Sequence, residues 1–223
     1  MDYTKMLVMA CATVIEEMTP ILPEGIHHKV LDFGLHVTPE KLRTTLQNEI
    51  DSVNDNIETI LLGYGLCSQA VIGVTARKAT LVVPRVDDCI AIFLGSRDAY
   101  TVQNNKAPGT YYLTKGWIEV GDTPFTEYNL MVERLGKARA DRALKLLLKN
   151  YTRLALINTG QYDIERYREY VRRTADRFGL RYEEIEGSNT LVKKMLEGDW
   201  DEEFVVVKPG ETICYSHFFP PDE

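Results

Sequence analysis

The apolar positions alternate between short, nearly continuous runs and longer stretches of helical periodicity. Residues 5–10 (KMLVMA) read as a strand buried on both faces. Residues 13–18 suit a short helix that ends before Pro20. Residues 28–35 (HKVLDFGL) predict a second strand. Thr38-Pro39-Glu40 then has the makings of a helix start: a threonine cap, proline at the first helical position and an acid near the positive end of the dipole. That helix is expected to run to about Val53. Residues 57–63 predict a third strand, ending in Gly63-Tyr64-Gly65-Leu66-Cys67, with a short helix before Lys78. Residues 80–83 (TLVV) predict a fourth strand, stopped by Pro84. Residues 89–94 are apolar and read as helix, because Asp87 and Asp88 precede them as cap and dipole partners.

The rhythm breaks over residues 95–121, which hold four glycines, three tyrosines and a tryptophan. Residues 109–113 and 117–120 are expected to pair as a hairpin. The segment reads equally as a lid or binding loop and as a flap that fills space with its rings. Beyond it, Thr123-Pro124 opens a helix to about Leu135, Gly136 bends the chain, and residues 138–148 form a second helix. Strands at 153–157, 182–185 and 204–207 follow, with helices at 163–178 and 191–196 between them. The tail (CYSHFFPPDE) is expected to pack by its aromatics and then fray. Strand–helix alternation of this kind predicts an α/β fold with mostly parallel sheet, either two small doubly wound lobes or one sheet with the hairpin-like segment between its halves. The division expected is 1–121, an N-terminal lobe, and 122–223, a helical connection and C-terminal lobe, closely packed.

Composition narrows the function. The chain has 223 residues and a net charge of −7, which disfavours a phosphate backbone as partner. Arg166, Arg168, Arg172 and Arg173 alternate with acids and read as a solvated helix face. No apolar run reaches about 18 residues, and the N-terminus lacks a secretory pattern, so a cytoplasmic protein without membrane partners is expected. The four cysteines are then thiols rather than structural disulfides.

In open α/β sheets a ligand binds beyond the carboxyl ends of the strands. The residues expected there are Cys11, His36, Cys67 and Cys89 after the first four strands, then Asn158-Thr159-Gly160 and Gly187-Ser188-Asn189 after later ones. Strands lie about 4.8 Å apart, so three cysteines on neighbouring strand ends can share a centre. Helix N-termini beside them would lower the thiol pKa. Metal ligands, inert core thiols and a reactive thiol all remain open, because no short C-x-x-C spacing is present. Three thiolates would leave one coordination position for a small molecule, for His36 or for Cys214 from the tail. Arg85 could anchor an anion, while Asp87 and Asp88 read as caps. Tyr64 reads as a packed ring rather than a proton donor. Asn158, Thr159 and Ser188 could contact an anion at helix starts, though capping explains them too.

The stretches GYGLCSQAVIGV, LVVPRVDDCIAIFLGS and PGTYYLTKGWIE resemble the family of domains of unknown function numbered 1638, found mostly in anaerobic bacteria and archaea. MACATVIEE, DFGLHVTPEKL, NTGQYD and EGDWDEEFVVVKPGE fit the same pattern. The resemblance implies cysteines at the positions of Cys11, Cys67 and Cys89, a histidine at His36, and a gene setting near corrinoid methyltransferases. It departs at Ser68, where the family commonly has glycine. With it, the expectation becomes a [4Fe–4S] cluster on Cys11, Cys67 and Cys89, or alternatively zinc activating a thiol for methyl transfer. A third reading is a non-enzymatic partner of a corrinoid protein or methyltransferase, with Tyr111, Tyr112 and Trp117 as contact surface. No motif forces a reaction class, and the oligomeric state is not legible.

Overall fold

The computed structural model describes residues 1–121 and 123–219. Thirteen of the fifteen expected elements outside residues 95–121 lie within two or three residues of their observed positions. The first strand is Met6–Cys11 (β1), followed by helix Ala12–Met18 (α1), strand His27–Leu31 (β2) and helix Pro39–Asp51 (α2). Thr59–Gly63 (β3), Thr80–Pro84 (β4) and the helix Cys89–Leu94 (α3) complete the first series. These strands form a five-stranded sheet in the order β2-β1-β3-β4-β8, where β8 is Phe204–Val207. The first four strands are mutually parallel, and β8 returns antiparallel along β4.

Residues 95–121 do not form a hairpin. Arg97–Lys106 is a helix (α4), Thr110–Leu113 a strand (β5) and Lys115–Glu119 a short helix (α5). Strand β5 is parallel to Arg153–Asn158 (β6), which is parallel to Arg181–Glu186 (β7), so the sheet order is β5-β6-β7. The supposed insertion is therefore the first strand–helix unit of a second sheet. Tyr111, Tyr112 and Trp117 are half-buried. Tyr111, for one, packs edge-on against Phe125 and Tyr151. Sheet membership does not divide at residue 121: β5 joins the later strands, and β8 joins the earlier ones.

Helices Pro124–Leu135 (α6), Lys137–Leu147 (α7) and Glu165–Phe178 (α8) cover one face of the second sheet through Phe125, Leu144, Val171 and their neighbours. Its other face, through Ala155, Ile157 and Ile185, shares a core with α1, α3, the helix Thr190–Glu197 (α9) and one face of the first sheet. The remaining face of the first sheet packs on Leu42, Leu46 and Ile50 of α2 and on Phe218 of the tail. Alternation along β1 explains this division: Met6, Val8 and Ala10 point to the shared core, and Met9 points to the other. Residues 220–223, where fraying was expected, lie outside the described residues.

Two further expectations change. The second strand is shorter, because Asp32 accepts a hydrogen bond from the Gly34 N–H and turns Phe33–Val37 into a 3-10 helix. No helix follows Cys67. Residues 67–73 form turns, and Thr75 then bridges to Thr212. Within α8, Arg168 pairs with Glu165 and Arg173 with Glu169, and Arg168 also reaches Glu184 on β7. No helix among the described residues is long and apolar enough to cross a membrane.

Candidate functional site

Three adjacent parallel strands, β1, β3 and β4, deliver the three cysteines to one end of one sheet. Cys11 is the last residue of β1 and the N-cap of α1, and its Sγ lies 3.0 Å from the Thr13 hydroxyl. Cys89 opens α3, whose N-cap Asp88 accepts a hydrogen bond from the Ile90 N–H at 2.9 Å. The capping role expected of Asp88 is thus observed. Asp87 lies 3.6 Å from the Arg97 guanidinium.

Cys67 is held differently. Its backbone N–H donates to the Asp87 carbonyl at 2.9 Å. Cys67, Ser68 and Gln69 all have positive φ, at 46°, 56° and 68°. Left-handed backbone costs non-glycine residues roughly 1–2 kcal/mol each. Three in succession mark a strained turn, and such strain collects at functional sites. The approach to this turn needs glycine. A Cβ on Gly65 would sit 2.7 Å from the Val86 carbonyl oxygen, and one on Gly63 would sit 2.7 Å from the Ala10 Cβ.

The three cysteines line a single cavity of about 320 Å³. Its other walls include His36, Tyr64, Asp88, Phe33, Leu42 and Trp117. Trp117 comes from α5 of the second sheet and stands edge-on to Phe93 at 5.6 Å. His36 stands on the exposed 3-10 turn after β2. Its Nδ1 donates to the Phe33 carbonyl, which orients the ring. Among the described residues, no lysine or arginine lines the cavity.

The expectation that helix N-termini lower the thiol pKa is not met. Burial raises all three, and for Cys67 it combines with the charge of Cys11 and Asp88 to push the value up to about 12. Helices α1 and α3 are only about two turns long, and Cys67 adjoins neither. Desolvation outweighs such short dipoles.

Other expected site residues fall elsewhere. The Arg85 side chain points toward β8, with Nη2 at 3.4 Å from the Phe204 carbonyl. Cys214 is exposed and its Sγ lies 3.4 Å from the Thr212 carbonyl, outside the cavity lining. Asn158, Thr159 and Ser188 stand at the carboxyl end of the second sheet. There Asn158 donates to Glu184 and accepts from the Gly160 N–H. Ser188 Oγ lies 2.8 Å from the Thr190 hydroxyl.

One residue escaped sequence reasoning altogether. Glu17, at the end of α1, is 2 % exposed, and its Oε2 accepts a 2.6 Å hydrogen bond from Thr159. Burial raises its pKa. In IEEM it reads as one polar residue among two, and no local signal marks which acid turns inward.

A family model described as protein of unknown function (DUF1638) matches residues 30–196. The match includes His36, Cys67 and Cys89, while Cys11 precedes it. No curated protein and no solved structure matches the chain.

Proposed function

The chain belongs to the DUF1638 family of proteins of unknown function, so its role has to be argued from the cavity, and we propose that it is a metal-binding protein holding a [4Fe–4S] cluster on Cys11, Cys67 and Cys89. One observation carries this reading: cysteines 56 and 22 residues apart in sequence line the same cavity. Thiolates are the soft donors that iron–sulfur clusters take. A strained turn spends stability on presenting one of them.

The donor arrangement favours a cluster over a single ion. Zinc needs its sulfur ligands to converge at about 2.3 Å on one point. Among the described residues no three His, Cys, Asp or Glu side chains form such a group. A four-iron core puts its own bulk between its ligands, which suits thiols spread around a cavity. When bound, a cluster with three cysteine ligands supplies an iron with an open position, able to bind a small molecule as a Lewis acid. His36, which lines the cavity and turns its Nδ1 to the Phe33 carbonyl, is the residue placed to serve as fourth ligand through Nε2 or to meet that molecule.

Anaerobically prepared protein should be brown and contain iron and sulfide in near-equal amounts. Cys67→Ser should lose both, and Cys214→Ser should keep both. Colourless, iron-free protein after anaerobic reconstitution defeats the reading. Stoichiometric zinc that survives dialysis and disappears in Cys67→Ser replaces it with the zinc–thiolate alternative.

A further inference from the structure

A second recess lies on the helix-covered face of the second sheet, away from the thiols. It is a groove of about 720 Å³ between α6 and α8. Phe125, Tyr170 and Phe178 supply its rings, and Arg166, Arg173 and Arg177 its charge. The fold divides an arginine run that reads in sequence as one solvated face. Arg168 pairs with Glu184 of β7, and Arg172 lies over the Tyr182 ring at 5.1 Å, so both turn to the sheet. Arg166, Arg173 and Arg177 stand at i, i+7 and i+11, which puts them on one stripe of α8. Arg177 lies over the Tyr128 and Phe178 rings at 4.6 and 5.2 Å. Charge along the chain is segregated in the same sense. Helices α6, α7 and α8 hold ten lysines and arginines against six acids, and the rest of the chain holds sixteen against twenty-seven. A basic layer thus covers one face of a protein whose net charge is −7. The same layer leaves Leu130, Leu135, Leu146 and Leu147 exposed.

We propose that the groove between α6 and α8 docks an acidic amphipathic helix of a partner protein. Spacing decides against a small anion. At about 1.5 Å of rise per residue the three arginines span roughly 16 Å of α8, so one phosphate meets only part of the row. A helix laid along the groove meets all of it, with acids against the arginines and apolar side chains against the rings. Nucleic acid fits less well. Glu169 also lines the groove, and the acids of the rest of the chain repel a long polyanion. The groove shares no lining residue with the thiol cavity, so the proposal does not rest on the cluster.

Fluorescence anisotropy with labelled synthetic peptides tests this on the full chain. The probe is a helical peptide with glutamates at i, i+7 and i+11 and leucine and phenylalanine on the neighbouring stripe. A scrambled peptide of the same composition keeps the charge and loses the stripe, and a single-stranded oligonucleotide of similar length supplies the phosphate control. The helical peptide should bind several-fold more tightly than either, and more weakly as salt is raised. Arg166 and Arg173 are both exposed, so Arg166→Gln with Arg173→Gln should leave the melting temperature unchanged. The pair should weaken the peptide about fivefold. Absent binding, equal binding of the scrambled peptide, or no effect of the two substitutions overturns the proposal. Tighter binding of the oligonucleotide overturns it in favour of nucleic acid. If sedimentation shows self-association that the double variant loses, the occupant is a second copy of this chain, and the partner-protein assignment falls. Metal-free and iron-loaded protein should give the same result, so failure of the cluster reading leaves the test intact.

Discussion

The two sheets end in opposite ways. At the carboxyl end of the five-stranded sheet, three thiols surround a cavity of about 320 Å³. At the carboxyl end of the three-stranded sheet, the place expected for an anion is filled from within the molecule. The Glu17 carboxylate accepts from Thr159, and Asn189 donates to the Thr159 carbonyl at 3.2 Å. One short helix serves both ends, since α1 begins at Cys11 and carries Glu17 in its last turn. The rule that ligands bind beyond strand ends names two equivalent positions here. What packs over each end decides which one stays open.

The contact that joins the ends should be the most sensitive. A Cβ on Gly116 would lie 2.5 Å from the Thr13 carbonyl oxygen, which is backbone and cannot move aside. Gly116→Ala should force α5 off α1, at a cost of about 3 kcal/mol. A melting temperature lower by about 10 °C is expected. Because Trp117 follows Gly116 and lines the thiol cavity, its fluorescence should change as well. An unchanged melting temperature would mean that the two ends are not coupled through this contact.

The next largest effect concerns the filled end alone. Thr159→Val leaves Glu17 buried without its donor and should cost about 2 kcal/mol at neutral pH. Iron binding should survive, because Thr159 is not part of the cavity wall. Urea denaturation and iron analysis on the same sample check both halves. Loss of iron would show that the filled end contributes to the open one.

The pH dependence of the filled end follows from Glu17. Burial raises its folded pKa above the ordinary carboxylate value. The folded protein thus binds a proton more tightly than the unfolded chain. Its contribution is fully present below the unfolded pKa of about 4.3 and is lost as pH rises through the raised folded value. Glu17→Gln keeps the acceptor for Thr159 and removes the titration. The stability of the variant relative to wild type should therefore increase from pH 4 to pH 8 (about the range of the titration). A difference that stays constant with pH would show that Glu17 is not held as a buried acid.

Much of this was legible in the sequence, for a physical reason. Parallel strands covered on both faces are apolar throughout, so KMLVMA and TLVV announce themselves, and the residues that end them are fixed by the strand boundaries. The placement of Cys11, Cys67 and Cys89 follows from that. The misread segment lacked such a signal. Helix α4 (RDAYTVQNNK) buries none of its residues fully, so it has no apolar stripe to read. Its Ser96 cap, which accepts from the Ala99 N–H, was the available clue. With α4 unseen, β5 appeared to lie in a loop, and two short aromatic runs suggested a hairpin. The antiparallel return of β8 to β4 is a pairing across about 120 residues, which no local pattern encodes. Glu17 and the raised thiol pKa values depend on burial by distant elements, and they became visible only in the fold.

The smallest effect tests how each end makes its turn. After β6 the chain enters a left-handed conformation at Gly160, with φ of 73° and open space where a Cβ would be. Glycine adopts it without strain. After β3 the same kind of conformation falls on Cys67, Ser68 and Gln69. If the open end keeps this strain to aim Cys67, relaxing it beside the cysteine should stabilise the fold without removing the thiol. Ser68 is exposed and directly follows the cysteine. Ser68→Gly should stabilise metal-free protein by about 0.5–1 kcal/mol, the strain relieved less the extra backbone entropy of glycine. The exposed Gln69, replaced by glycine, should behave alike. Iron content should be unchanged if Cys67 is held by its hydrogen bond to Asp87 and by Gly65, and reduced if the turn itself aims the sulfur. Chemical denaturation of the metal-free variants and iron analysis after reconstitution read both. If neither glycine stabilises the protein, the turn carries no strain, and the contrast between the two ends rests on Glu17 alone.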